Sequence, residues 1–195
     1  MIGYVGMEKI KFLLEYAILA PSTHNTQPWL FKISHSSCEI RLNPEMLLPE
    51  ADPKGRDAYI SIGCCIENLV LAAKYFGMFE KVEYHLRDNL VAEVFFHDST
   101  GIQGQYEYLL STIRKRMNAR GVFEPRTVDR ALVDRIHRVI SREYNFTPFI
   151  ETIFNTSKDD INSLASLTAQ GLKLAYKKLS FRKEMAGWIH NNLSK

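Results

Sequence analysis

Between Ala20 and Trp29 the chain reads Ala-Pro-Ser-Thr-His-Asn-Thr-Gln-Pro-Trp, with Ser22, His24, Asn25 and Gln27 held between two prolines. Pro21 and Pro28 fix φ and bias the residues before them towards extended backbone, which stiffens the loop. A stiff row of hydroxyls and amides can meet a flat polar ligand at little ordering cost. The same residue types also suit a capped turn, because Ser, Thr and Asn bond their own backbone there. A second cluster is basic: Arg114, Lys115, Arg116 and Arg120 lie close together, with Asn118 between the last two arginines. The planar guanidinium fork matches phosphate oxygens in pairs, and a polar side chain between two such forks completes an anion pocket. A solvated helix end, where cations oppose the helix dipole, is the other reading of that segment.

Other chemistries find little support. No Gly-x-Gly-x-x-Gly follows a strand pattern, no Gly-x-Ser-x-Gly elbow is present, and no His-x-x-x-His or Cys-x-x-Cys spacing suggests a metal site. His24 is the histidine inside a candidate site, while His85, His97, His137 and His190 read as strand or helix surface. Asp52 and Asp57 around Arg56 read as a helix N-terminal cap with an ion pair. Neither a catalytic residue nor a metal ligand is assigned. Binding loops without an acid, base or nucleophile suit chemistry that a cofactor carries and the protein positions.

Several elements must place those two clusters. Ile10, Leu13, Leu14, Ala17 and Ile18 recur at helical spacing, which predicts a helix over 7–20 ended by Pro21. Trp29–Ser34 and Cys38–Leu42 alternate around a polar turn and predict a hairpin. A breaker-rich loop, Leu48 to Asp57, leads into a long helix, Asp57 to Phe76, whose apolar stripe includes Ile62, Cys65, Ile66, Leu69, Val70 and Ala73. Gly63 inside it suggests close helix packing, and Gly77 fits its C-terminal cap. Lys81–Leu86 and Val91–His97 form a second hairpin pattern through Asp88-Asn89. Helical patterns follow over Tyr106–Lys115, over Val128–Arg142 with Thr127 as cap, and from Ser157 onward with a break near Ser180. Pro148–Phe154 is a short strand candidate. Antiparallel signals beside long helices predict an α+β fold.

Length and composition bound the reading. The 195 residues suit one domain over 1–195, and 46 % apolar with 24 % charged residues is ordinary for a globular chain. A net charge of +3 falls well short of a nucleic-acid-binding face. Cys38, Cys64 and Cys65 cannot form an even disulfide framework and read as reduced packing residues of a cytoplasmic protein. The N-terminus lacks a signal-peptide layout, and no apolar run reaches the roughly 18 residues of a membrane span.

Three segments resemble the nitroreductase family, and its Acg-like branch most closely. They are Pro21–Trp29, then Ala51–Gly63 with the helix continuing through Glu67-Asn68-Leu69 to Ala73, and Arg116-Met-Asn-Ala-Arg120-Gly-Val-Phe123. The resemblance implies an α+β sandwich, with a mainly antiparallel sheet flanked by helices, working as a homodimer with FMN at the subunit interface. It implies a flavin oxidoreductase that passes hydride from NAD(P)H to a nitroaromatic or quinone-like acceptor. Carried over residue by residue, it places Pro21, Ser22 and Asn25 beside the flavin with Gln27 supporting the loop. It places Arg116, Asn118 and Arg120 at the flavin and its phosphate tail. Met117 and Asn118 depart from the arginine and hydroxyl residue more usual in the family, and relatives of this kind run on well past the position of Trp188. Those departures define the alternative, a non-catalytic or degenerate flavin-binding protein. Leu164, Leu167, Leu172, Leu174, Tyr176, Leu179, Phe181 and Trp188 give the C-terminal third an apolar helical face, which predicts a homodimer independently of the resemblance.

Overall fold

The structure, a computed structural model, describes residues 6–118, 121–122, 124, 126–143, 154–155 and 157–189. Among these lie six helices and a four-stranded antiparallel sheet, an α+β arrangement. The chain divides into two compact units, residues 1–118 with 180–195, and residues 119–179.

In the first unit, helix α1 (Met7–Ala17) buries Ile10, Leu13, Leu14 and Ala17, a stripe one helical face wide. It stops three residues short of the predicted end at Ala20. Leu19 and Ala20 donate instead to Tyr16 and Ala17, a tightened last turn, because Pro21 disfavours helical backbone at the residue before it. Strands β1 (Trp29–Ile33) and β2 (Ser37–Leu42) form the first hairpin, in register from Trp29↔Leu42 to Ile33↔Cys38. Strands β3 (Phe79–Arg87) and β4 (Leu90–Phe96) form the second. Asp88 and Asn89 between them both have positive φ, as a two-residue hairpin turn matching the strand twist requires. Pairing of β2 with β4 joins the hairpins in the order β1-β2-β4-β3.

One face of this sheet presents Cys38, Ile40, Leu42, Ala92, Val94 and Phe96 to the core. Helix α2 (Arg56–Tyr75) packs against β2, β3 and β4, and α1 packs against α2. Elsewhere on the strands Lys32 reaches the Glu39 carboxylate across the ladder at 2.9 Å, and Arg41 binds it along the same strand at 2.8 Å. Those two cations hold the Glu39 carboxyl below its ordinary range. Helix α3 (Glu107–Lys115) buries Leu110 and Ile113 and also packs on α2.

The two glycines of the long-helix region play opposite parts. Gly77 has φ +62°, and a Cβ there would sit 2.4 Å from the Gly101 carbonyl oxygen, so both backbone shape and space demand glycine. Gly63 was expected to mark close helix packing; it is exposed, and nothing among the described residues lies within 4 Å of where its Cβ would be.

Helix α6 (Leu179–Trp188) belongs, apart from its first residue, to the first unit. It buries Phe181 and Met185, and the Glu184 carboxylate between them accepts hydrogen bonds from the backbone N–H groups of Glu50 and Ala51 at 3.0 and 2.9 Å. Phe181 therefore leaves the exposed apolar face the sequence assigned to it. The second unit holds helix α4 (Arg130–Glu143) and helix α5 (Lys158–Lys177). Asp129, not Thr127, caps α4, its carboxylate accepting from Ala131 N–H at 2.9 Å. Ser157 caps α5 through Asp160 N–H, and the break before α6 falls at Lys178. The strand candidate Pro148–Phe154 lies outside the described residues except for Phe154, which is in no regular element.

Candidate functional site

The Pro21–Trp29 loop leaves α1 in extended backbone at Ser22 and then tightens into a short turn, Thr23–Asn25. His24, Asn25 and Gln27 all have positive φ, at 53°, 59° and 49°. Left-handed backbone at a non-glycine residue costs about 1–3 kcal/mol and persists only where neighbours over-determine it. Here the neighbours are explicit. Ser22 Oγ accepts from Gln27 N–H at 3.0 Å, Asn25 and Thr26 N–H donate to Ser22 and Thr23 carbonyls, and Pro28 takes Asn43 N–H on its carbonyl. The Gln27 side chain donates to the Ile18 carbonyl at 3.4 Å, tying the loop to the end of α1. Gln27 thus braces the loop.

Ser22 and Pro21 line a groove of about 210 Å³ whose opposite wall is the N-terminal half of α2, with Asp57, Ser61 and Cys64. Those positions recur at helical spacing at the edge of the buried stripe of Ile62, Cys65, Ile66 and Leu69, with Ser61 itself buried. Asp52 anchors this wall by accepting Ala58 N–H at 3.0 Å, the cap the sequence assigned to the aspartates around Arg56. Thr23 Oγ1 donates to Asp57 Oδ2 at 3.5 Å, which links loop and helix directly. Asn25 and Gln27 are exposed and do not line the groove.

A second groove, of about 420 Å³, is lined by Glu15, Leu19, Ile113, Arg114 and Arg116 at the C-terminal end of α3. Arg116 donates to the Leu19 carbonyl at 3.4 Å and to the Asn118 side-chain oxygen at 3.0 Å. The Arg114 guanidinium stands 5.1 Å from the centre of the Tyr16 ring. Arg116 and Asn118 are therefore paired as the sequence reading brought them together, whereas Arg120 lies outside the described residues. Leu19 in this groove and Pro21 in the first stand two residues apart in the chain. Among the described residues two of the five N–H donors of the Arg116 guanidinium are engaged, which leaves donors for a phosphate. The Ser22 hydroxyl in one groove and the guanidiniums in the other are donors of the kind a phosphate-bearing flavin takes.

The thiols are placed for packing. Burial pushes the Cys38 thiol up to about 12 and the Cys65 thiol higher still. Cys64 is raised too, burial outweighing the opposing pull of Arg116, so it faces the groove as a thiol and not as a nucleophilic thiolate. Among the described residues, no group of three or more His, Cys, Asp or Glu side chains is arranged to hold a metal ion. No helix among them is long and apolar enough to cross a membrane.

Sequence reasoning missed Thr23, Ser61 and Cys64 as groove-lining residues and assigned Asp57 only to a cap. The spacing of Asp57, Ser61 and Cys64 on the polar side of a helix was the available signal. The left-handed backbone at Gln27 had none, since glutamine is not a residue type that favours it.

Two proteins of Mycobacterium tuberculosis match part of the chain: "Putative NAD(P)H nitroreductase MT3217" of strain CDC 1551 / Oshkosh and "Putative NAD(P)H nitroreductase Rv3131" of strain ATCC 25618 / H37Rv. Each is 37% identical over 75 residues, a stretch that makes up 38% of this chain and 22% of the relative. No protein-family model matches the chain. The chain is thus distantly and partially similar to two mycobacterial proteins named as NAD(P)H nitroreductases.

Proposed function

We propose that this chain serves an FMN-dependent oxidoreductase of the nitroreductase type, taking hydride from NADH or NADPH and reducing a nitroaromatic or quinone-like acceptor. In this reading residues 1–195 act as one nitroreductase-like domain with the family's sandwich, and two copies complete the site. The observation that carries it is the 37% identity with proteins named as NAD(P)H nitroreductases. The Ser22 groove and the guanidinium groove support it, because they offer a flavin a ring contact and a partner for its phosphate.

FMN, when bound, supplies the electron-transfer chemistry. The chain supplies position and charge. Pro21 and Ser22 form one wall for the ring, held by Gln27 and the Ser22–Gln27 backbone bond. Asn25 presents its amide from the strained turn, and Arg116, Asn118 and Arg120 meet the phosphate tail. Guanidiniums fixed before the reaction stabilise negative charge that develops nearby, with no reorganisation at the moment it appears. This role needs no general acid or base.

One observation favours the second reading, a flavin-binding protein without turnover. Asn118 stands where the family more often has a hydroxyl residue, and its side-chain oxygen occupies part of the Arg116 fork. An anaerobic addition of NADH or NADPH to the FMN-loaded protein separates the two. Loss of the flavin band near ~450 nm supports the oxidoreductase, since that band belongs to the oxidised cofactor. A band that persists with both nucleotides supports the second reading.

A further inference from the structure

The groove beside Ser22 has an uneven hydrogen-bonding character. Thr23 Oγ1 spends its hydrogen on Asp57 Oδ2, and Ser61 Oγ spends its hydrogen on the Asp57 backbone carbonyl at 2.7 Å. Asp57 itself is acceptor-only when charged, and it sits in the first turn of α2, where the helix N-terminus stabilises negative charge. Among the described residues Thr23 is the partner that hydrogen-bonds this carboxylate, so Oδ1 is left for a ligand. Ser22 differs: its oxygen accepts from Gln27 N–H, and its own hydrogen is available to donate. The groove therefore offers a donor at Ser22 and strong acceptance at Asp57. The second groove, with Arg114 and Arg116, offers positive charge.

We propose that Asp57 is a specificity-determining residue that accepts a hydrogen bond from an imide-type N–H on the edge of the bound ring, next to a ring carbonyl that Ser22 serves. This rests on the flavin reading above and names the edge of the flavin that enters the Ser22 groove. A ring carbonyl next to an imide N–H matches the donor, Ser22, and the acceptor, Asp57, that the groove offers. The arrangement also orients the ligand. An anionic tail placed at Asp57 would meet a carboxylate, whereas the same tail at Arg114 and Arg116 meets two guanidiniums.

The test compares FMN with its 3-methyl analogue, which lacks the imide N–H, by fluorescence titration of wild type, Asp57→Ala and Asp57→Asn. Wild type is expected to prefer FMN by about tenfold or more, the value of a hydrogen bond to a charged group. Asp57→Ala is expected to bring the two affinities within about twofold, chiefly by weakening FMN, and Asp57→Asn, which keeps a neutral acceptor, to give a ratio between that and wild type. A purely structural role for Asp57 would lower both affinities together and leave their ratio as in wild type, which overturns the proposal. A wild-type ratio near one also overturns it while leaving the flavin reading intact. Failure of wild type to bind either flavin overturns both. If Asp57→Ala does not fold, Asp57→Asn decides: a ratio below that of wild type supports the proposal and an unchanged ratio overturns it.

Discussion

Arg116 is the residue on which two roles converge. It stitches the end of α3 to the Leu19 carbonyl at the end of α1, and it faces the open groove beside Arg114. The first role is that of a cation at a helix C-terminus, worth about 0.3–1 kcal/mol at an exposed position. A phosphate contact is worth more, roughly 1.5–3 kcal/mol for one charge-assisted hydrogen bond. Arg116→Glu is therefore expected to weaken FMN binding by about tenfold to a hundredfold while lowering stability only slightly. Flavin fluorescence titration and a thermal melt on the same sample check this. Unchanged flavin affinity beside a lowered melting temperature would reduce Arg116 to its structural role. Much of this was legible in the sequence, because arginine pairs and proline-bounded polar loops advertise their chemistry by type. The wall opposite Ser22 was not. Asp57 reads locally as a cap residue, and only the approach of α2 to the loop turns it towards the groove.

At the scale of elements, periodicity located both hairpins and the long helix, since each has one buried face and a side-chain repeat that reports it. Element ends were less legible. The stop of α1 at Ala17 depends on how Pro21 constrains the turn before it, and the cap of α4 depends on which of two neighbouring polar residues reaches the backbone. Of the two glycines, Gly77 ends the long helix as its position suggested, whereas Gly63 is not a packing site, because a sequence shows a glycine's freedom and not its surroundings. Gly63→Ala is expected to stabilise the protein by roughly 0.5–1 kcal/mol, since the site is open and helical. Gly77→Ala is expected to cost more than about 2 kcal/mol, from left-handed backbone and a Cβ meeting the Gly101 carbonyl. Urea denaturation of the pair reads both signs. Equal effects, or a stable Gly77→Ala, would contradict the placement of these two turns.

At the scale of the whole molecule, the C-terminal helices separate into two kinds of surface. Helix α6 is held by Phe181, Met185 and Glu184 within the first unit. On α5, by contrast, no described residue is buried, and Leu164, Leu167, Leu172 and Leu174 are each at least half exposed. Exposed apolar faces of this kind usually mark interfaces, so we expect a homodimer built in part on α5. Light scattering behind a sizing column should give about twice the 22.5 kDa of one chain. A single-chain mass at micromolar concentration would refute the dimer and remove the interface on which the proposed flavin site depends.

The claim that joins all three scales is that the Ser22 and Arg116 grooves together hold FMN, and the visible spectrum of the purified protein tests it most directly. The account predicts a flavin band near ~450 nm, present on purification or restored by added FMN and retained through desalting, because the chemistry it proposes belongs to that cofactor. A folded protein that stays colourless after incubation with FMN would contradict it.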